Sequence, residues 1–432
     1  MTDGRPAASR GVLSACALLL SGSVVTWAIQ GDQTVRVASF LPLFALAFVA
    51  YLVALHASVG SSKRGLGAAL GLAVAWRLVL AFGPPLLSND VNRYVWEGRV
   101  QLHGGNPYAW SDRPNAPKWD GIRDSVYEGM NHKGYTAAYP PLWQMAAAAV
   151  VWVHDSVAAM KLFLVACELA ALLVLSRVLR QRGLPAERLL VWGWSPLALV
   201  EIAGSGHNEA LGLLFLALAL LALDSKRPLA AALLSALGFQ AKFLPGLLAV
   251  SWWRRFRPWH VAAAAVVAGV LVWPYWGARQ TLLLSLGKYA EFWRFNESLF
   301  APFAAVFGHA GAVRAGLFLT LLLAILLGQR RAEPVPAGLL VTGAVLLLGP
   351  NLLPWYALWL LPFLVLVEAP AALLFTGTVA LAYLVYPGWQ SGEQWYLPWS
   401  VRALEYLPCL AVLVLTSFKT AQKTVDPAGA RS

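Results

Sequence analysis

The sequence predicts an all-α fold, a polytopic transmembrane helix bundle of about 12–14 spans. Three observations carry this expectation. Hydrophobic residues fill 59% of the chain and charged residues only 12%, where an ordinary soluble domain carries about 25% charge. The apolar residues arrive in blocks suited to the roughly 20-residue helix that crosses a hydrocarbon core. Within lipid every backbone amide needs an internal partner, so continuous apolar blocks of this kind are helices and not strands.

The blocks fall at about 11–29, 38–57, 66–83, 141–154, 158–177, 187–203, 208–223, 229–250, 260–276, 310–328, 335–349, 355–367, 370–386 and 402–417. They make residues 1–432 a single integral membrane domain. Arg5 and Arg10 ahead of Gly11–Ile29 resemble the start of a signal peptide. The block is long and no small-x-small cleavage site follows, which predicts a retained first helix. Cys16, Cys167 and Cys409 each sit in an apolar block without a partner at disulfide or metal spacing, and read as small core residues.

The net charge of +12 raises the question of nucleic acid. Its distribution answers differently. Lys63-Arg64, Arg254-Arg255-Arg257, Arg330-Arg331 and Lys419/Lys423 lie between apolar blocks, as the positive-inside bias produces. The expected partner is therefore the bilayer, with no nucleic acid. An alternating path from an inside N-terminus puts those clusters inside and 84–140, 277–298 and 387–401 outside. Arg177, Arg180, Arg182 and Arg188 fall outside on that count. Either a helix nearby is re-entrant, or that loop binds something anionic.

The outer loop 84–140 carries the most chemistry. It is bracketed by Pro84-Pro85 and Pro140-Pro141 and is rich in Trp, Tyr, Asn, Asp and Arg. Loops this long in a compact chain are usually functional. Ser88 or Asn89 is a natural helix N-cap, with Asp90 in the first turn. On that helix Asp90, Arg93, Tyr94 and Glu97 share one face. A carboxylate beside cationic and phenolic groups suits sugar transfer from a phosphate: the carboxylate accepts the attacking hydroxyl's proton, and positive charge stabilises the leaving phosphate. A glycosidase needs two carboxylates, because its alkoxide leaving group must be protonated. The same spacing also fits an interfacial amphipathic helix with a surface salt bridge from Asp90 to Arg93 or Arg99.

The stretch Asn89-Asp90-Val91-Asn92-Arg93-Tyr94-Val95-Trp96-Glu97-Gly98-Arg99-Val100-Gln101, then Gly105-Asn106-Pro107-Tyr108, then Tyr139-Pro140-Pro141, resembles the first outer loop of bacterial GT-C glycosyltransferases. It is most similar to the polyprenol-phosphate-mannose-dependent mannosyltransferases. Gly206-His207-Asn208-Glu209, Lys242-Phe243-Leu244-Pro245 and Leu353-Pro354-Trp355-Tyr356-Ala357-Leu358-Trp359-Leu360-Leu361-Pro362 resemble the same group. The resemblance spans about 80 to 400. It implies Asp90 as catalytic base, inverting direct displacement, a polyprenyl-phosphate hexose donor (mannose first among them) and an extracytoplasmic glycan or lipid hydroxyl as acceptor. It also implies substrate contacts from Arg93, Tyr94, Glu97, Arg99, Asn106, Tyr108 and Tyr139. The expected location is the plasma membrane, with the active site in 84–140 on the extracytoplasmic side. Some members carry a second acidic residue in the loop and use a divalent metal. Here that position is Asn92, which weighs against a metal requirement, and no other cofactor is implied. The loop follows the third apolar helix, whereas in this class it often follows the first, so the first two helices read as an N-terminal extension.

Other residues have two readings each. Glu201, His207 and Glu209 contact the donor phosphate or the acceptor, or they cap a helix turn; ionisable groups at membrane depth call for a partner or a function. Lys242 contacts phosphate or snorkels to the interface. Arg294, with Lys288 and Asn296, binds phosphate or forms a charged rim. Trp355 and Tyr356 stack on a sugar or prenyl chain, or belong to an aromatic belt. The rival function is a transporter or flippase of lipid-linked sugars. It predicts ionisable residues at mid-helix and duplicated halves, whereas the polar residues here gather in one loop and at helix ends and no internal repeat is visible.

Overall fold

The computed structural model describes residues 7–392 and 394–425; Arg5 lies outside them, as do the side chains of Lys419 and Lys423. Among the described residues every regular element is helical, and the one strand-like feature is an isolated bridge between Phe295 and Asn351. Eight helices among the described residues are long and apolar enough to cross a membrane. Four shorter apolar helices accompany them, at Pro141–Val153, Pro228–Ala241, Pro334–Leu348 and Pro354–Leu366.

Helices α1 (Ala7–Gln30), α2 (Val37–Ser58) and α3 (Lys63–Phe82) precede the 84–140 segment. Within that segment runs α4 (Asp90–Leu102), followed by two 3-10 stretches and the single turn Ser125–Glu128. Then come α5 (Pro141–Val153) and α6 (Val157–Gln181). Ser62 caps α3 by accepting from Gly65 N at 3.1 Å. Gly83, Pro84 and Pro85 end it, since proline cannot continue the helix ladder. The fully buried Lys161 of α6 satisfies the carbonyls at this end: its Nζ donates to Leu80 O at 2.7 Å, which also accepts from Gly83 N, and to Gly83 O at 2.8 Å. Deeper in the bundle, Arg77 donates twice to Glu168, at 2.8 and 2.7 Å, and once to Gly193 O at 2.8 Å. This ties α3, α6 and the following segment together and leaves neither buried charge alone.

Contacts sort the connections into two ends. At one end Arg182 pairs with Asp224 at 2.6 Å and Glu333 at 2.7 Å, and Arg188 pairs with Glu368 at 3.2 Å. There also Gly60 N donates to Glu187 at 2.7 Å and Arg255 to Ala332 O at 2.9 Å. At the other end Gln33 N donates to Leu86 O at 2.7 Å, Tyr275 to Gln101 at 2.8 Å, and Phe295 N to Pro350 O at 3.1 Å. The arginines of 177–188 thus join the other basic connections. The alternating path failed there because it counted α5 as a span. That helix has 13 residues, about 20 Å at 1.5 Å per residue. It packs along α4, and Asp155 just beyond its end pairs with Arg99 of α4 at 2.8 Å. Both its ends lie beside the 84–140 segment, so α5 is a peripheral helix.

Two expected helices are broken, each where the site needs it. The block 187–203 consists of short turns and then a π segment, Leu199–Gly204. Ser195 and Pro196 restart the chain there, with Ser195 accepting from Ala198 N. The block 229–250 divides into α8 (Pro228–Ala241) and α9 (Leu244–Val250), after α7 (Glu209–Asp224). Lys242 between them is extended, at φ −158° and ψ 134°, and Pro245 starts the next turn.

Candidate active site

At the end opposite the basic connections lies a cavity of about 1080 Å³. Its walls come from six places: the α1–α2 connection, the 84–93 stretch, residues 129–139, residues 285–295, and the segments around 351–356 and around 382–395. Asp90 stands at the start of α4 facing this space. The N-cap position is Asn89, whose side chain makes no capping bond; instead Ser88 Oγ accepts from Asp90 N at 3.2 Å. Asp90 Oδ1 accepts from Asn131 Nδ2 at 3.0 Å, which orients the carboxylate across the mouth of the loop.

The expected face of α4 divides by depth. Arg93 reaches the cavity wall, but its guanidinium donates to the carbonyls of His132 at 2.6 Å and Asn131 at 2.9 Å and pairs with Glu97 at 3.4 Å. It clamps the loop that presents Asn131. Glu97 is buried below, accepting from Gln144 of α5 at 2.7 Å. Burial pushes its carboxyl up, against the pull of Arg93 and Gln144. Arg99 lies away from the cavity, paired with Asp124 at 2.7 Å and Asp155 at 2.8 Å. The surface salt bridge from Asp90 to either arginine is not formed. Asn106 and Tyr108 also hold the loop: Asn106 accepts from Tyr108 N at 3.1 Å, and Tyr108 donates to Tyr139 O at 2.6 Å.

Behind the wall sits a buried polar cluster. Gly206, at φ +80°, turns the chain after the π segment in a conformation that favours glycine. A Cβ there would also stand 3.0 Å from Val91 and 3.1 Å from Lys161. The turn sets His207 beneath Trp355, their rings stacked at 3.9 Å and 20°, with His207 Nε2 3.4 Å from Glu201. Glu201 in turn accepts from Tyr383. Lys242, freed by the helix break, pairs with Glu209 at 2.6 Å and donates to Asn208 at 2.8 Å. Its Nζ also lies over the ring of Tyr139 at 4.3 Å. Tyr94 is buried with its hydroxyl 3.4 Å from that of Tyr139. Burial drives both phenols well above the usual tyrosine range, with nearby acidic side chains adding to the effect, so they stay neutral donors.

The second and third expected loops complete the cavity. Arg294, Trp355 and Tyr356 line it, and Arg294 pairs with Glu297 at 2.7 Å near the opening. Tyr289 joins Tyr356 at 2.7 Å and stacks on Trp293 at 5.4 Å. Asn296 does not face the cavity; it donates to Glu405 at 2.9 Å and holds the last helix. No group of three or more His, Cys, Asp or Glu side chains able to hold a metal ion occurs among the described residues. Asn92 donates to Gly129 O at 3.1 Å.

The family model described as alpha-(1->6)-mannopyranosyltransferase, N-terminal domain (the MptA/B family), matches residues 7–254. The chain belongs to this mannosyltransferase family. No curated protein and no solved structure matches the chain. In this mannosyltransferase the matched part carries Asp90, the buried cluster and the loop clamp, while Arg294, Trp355, Tyr356 and the aromatic wall of 382–395 come from beyond it. Sequence reasoning missed Asp32 and Thr34, Asn131 and His132, and Asn351, all of which line the cavity. The α1–α2 connection gives no signal by itself, being short and polar like any turn. His132 had one: it sits in the left-handed region at φ 49°, and asparagine and histidine side by side in a long loop mark such a turn.

Proposed function

We propose that this mannosyltransferase moves a mannosyl group from a polyprenyl-phosphate donor to a glycan or lipid hydroxyl by a single inverting displacement, with Asp90 as base. The observation that carries the reading is Asp90 held by Asn131 on the wall of a large cavity at the membrane end opposite the basic connections. The acceptor oxygen attacks the anomeric carbon and loses its proton to the Asp90 carboxylate. The bond from that carbon to the phosphate oxygen breaks, and the prenyl phosphate leaves with the electron pair. Arg294 supplies positive charge for the leaving phosphate, and the neutral phenols of Tyr139 and Tyr289 supply hydrogen bonds; burial pushes Tyr289 up to about 12. Arg93 acts at one remove, since its donors are engaged in holding the loop. An α-linked product formed with inversion requires a β-linked mannosyl phosphate.

The positive-inside bias assigns basic connections of this kind to the cytoplasmic side, which supports reading the cavity as extracytoplasmic, at the plasma membrane. Apolar wall residues such as Leu86, Phe292 and Leu353 give a prenyl chain a path beside the headgroup. The test is mannose transfer by the purified protein in nanodiscs, with prenyl-phosphate mannose compared against a mannose nucleotide. Product from the prenyl donor alone is the expected result. Equal product from the nucleotide would overturn the lipid-donor assignment.

A further inference from the structure

The α1–α2 connection, read from the sequence as part of an N-terminal extension, lies inside the matched family domain, which begins at residue 7, and it forms part of the cavity wall. Its placement is built and not incidental. Gly31 takes φ +67° against Pro84, Gln33 is fully buried, and Gln33 N donates to Leu86 O at 2.7 Å. Asp32 Oδ1 accepts from Thr34 N at 2.8 Å and Thr34 Oγ1 at 2.7 Å, an Asx turn that holds the carboxylate in one orientation. The Asp32 carboxylate forms no ion pair among the described residues; the nearby Arg36 spends Nη1 on the backbone carbonyls of Asp32 at 2.9 Å and Gln30 at 3.0 Å. Facing this connection is the helical turn Val385–Gln390, which packs against Thr34–Arg36. It presents Tyr386 and the half-exposed Trp389, whose ring meets Trp395 at 5.5 Å.

We infer that Asp32, Thr34 and Trp389 form the subsite for the carbohydrate acceptor. The inference rests on the transfer reaction proposed above. A fixed carboxylate whose oxygens carry no ion pair disfavours a phosphate beside it and attracts sugar hydroxyls, which are donors. An adjacent exposed aromatic face offers the apolar C–H face of a sugar ring a flat partner. The cationic side chain assigned to the donor, Arg294, comes from the other outer loop, so the cavity separates an anionic edge for a neutral glycan from a cationic edge for the phosphate.

The experiment is steady-state kinetics on the full chain in nanodiscs, varying prenyl-phosphate mannose and an octyl α-1,6-mannobioside separately. The variants are Asp32→Asn, Thr34→Val and Trp389→Ala. Asparagine retains the Oδ1 acceptor of the turn, so Asp32→Asn removes the charge and leaves the loop in place. Loss of a charged hydrogen bond to the acceptor raises its KM by about tenfold or more, with the donor KM unchanged. A change confined to the donor KM, or no change in either, would overturn the subsite. Should wild type transfer no mannose, quenching of tryptophan fluorescence by the mannobioside alone separates the two ideas. Quenching that Asp32→Asn weakens keeps the subsite while the transfer reading falls; absence of quenching in wild type removes the subsite too.

Discussion

Asp90→Asn is expected to lower kcat by about 10²- to 10⁴-fold, the contribution typical of a positioned general base. The amide cannot take the acceptor's proton. Its carbonyl oxygen can still accept from Asn131 Nδ2, so the mouth of the loop keeps its geometry. Donor affinity is therefore expected to hold, which separates lost chemistry from lost binding. The check is single-turnover transfer alongside direct donor binding, with the thermal transition of each variant recorded. A variant with wild-type kcat would remove Asp90 from the chemistry while leaving the family membership untouched.

Lys242→Met is expected to act through stability before it acts on the donor. Lys242 is paired with Glu209 at 2.6 Å, and Glu209 is fully buried. Removing one partner of a buried pair strands the other and costs about 3–5 kcal/mol. The double variant Lys242→Met/Glu209→Leu removes both charges and is expected to recover much of that loss. Activity should fall in both, because Tyr139 loses the ammonium over its ring. A phosphate-binding lysine would behave differently: donor KM would rise steeply, the thermal transition would stay put, and the Glu209 substitution would bring no recovery. Thermal unfolding and donor KM, measured on the two single variants and the double, decide between these outcomes.

The architecture was legible because lipid leaves a chain few choices. Apolar length forced helices, and the basic connections marked one end of the bundle. Counting failed at α5, where hydropathy alone does not distinguish a span from a 13-residue helix packed along another. The same blindness hid the breaks at Ser195-Pro196 and Lys242, because hydropathy averages across a proline that backbone geometry cannot ignore. Of the residues that motif, periodicity and resemblance singled out, Asp90, Arg93, Tyr139, Arg294, Trp355 and Tyr356 line one cavity. Those signals did not distinguish residues that face the space from those that brace it. Glu97, Arg99, Asn106 and Tyr108 share the loop with Asp90, yet their polar atoms are spent on Gln144, Asp124, Asp155, Asp112, the Tyr139 carbonyl and one another. Asp32 was illegible for the opposite reason: its partner surface lies more than 300 residues away in the chain, roughly at Val385–Gln390.

The central claim is a single displacement at Asp90, and the anomeric configuration of the product tests it most directly. With β-configured prenyl-phosphate mannose as donor, the product bond is predicted to be α, read from the carbon–proton coupling at the anomeric position by NMR. A β product from the same donor would mean retention through two displacements, and would contradict the mechanism.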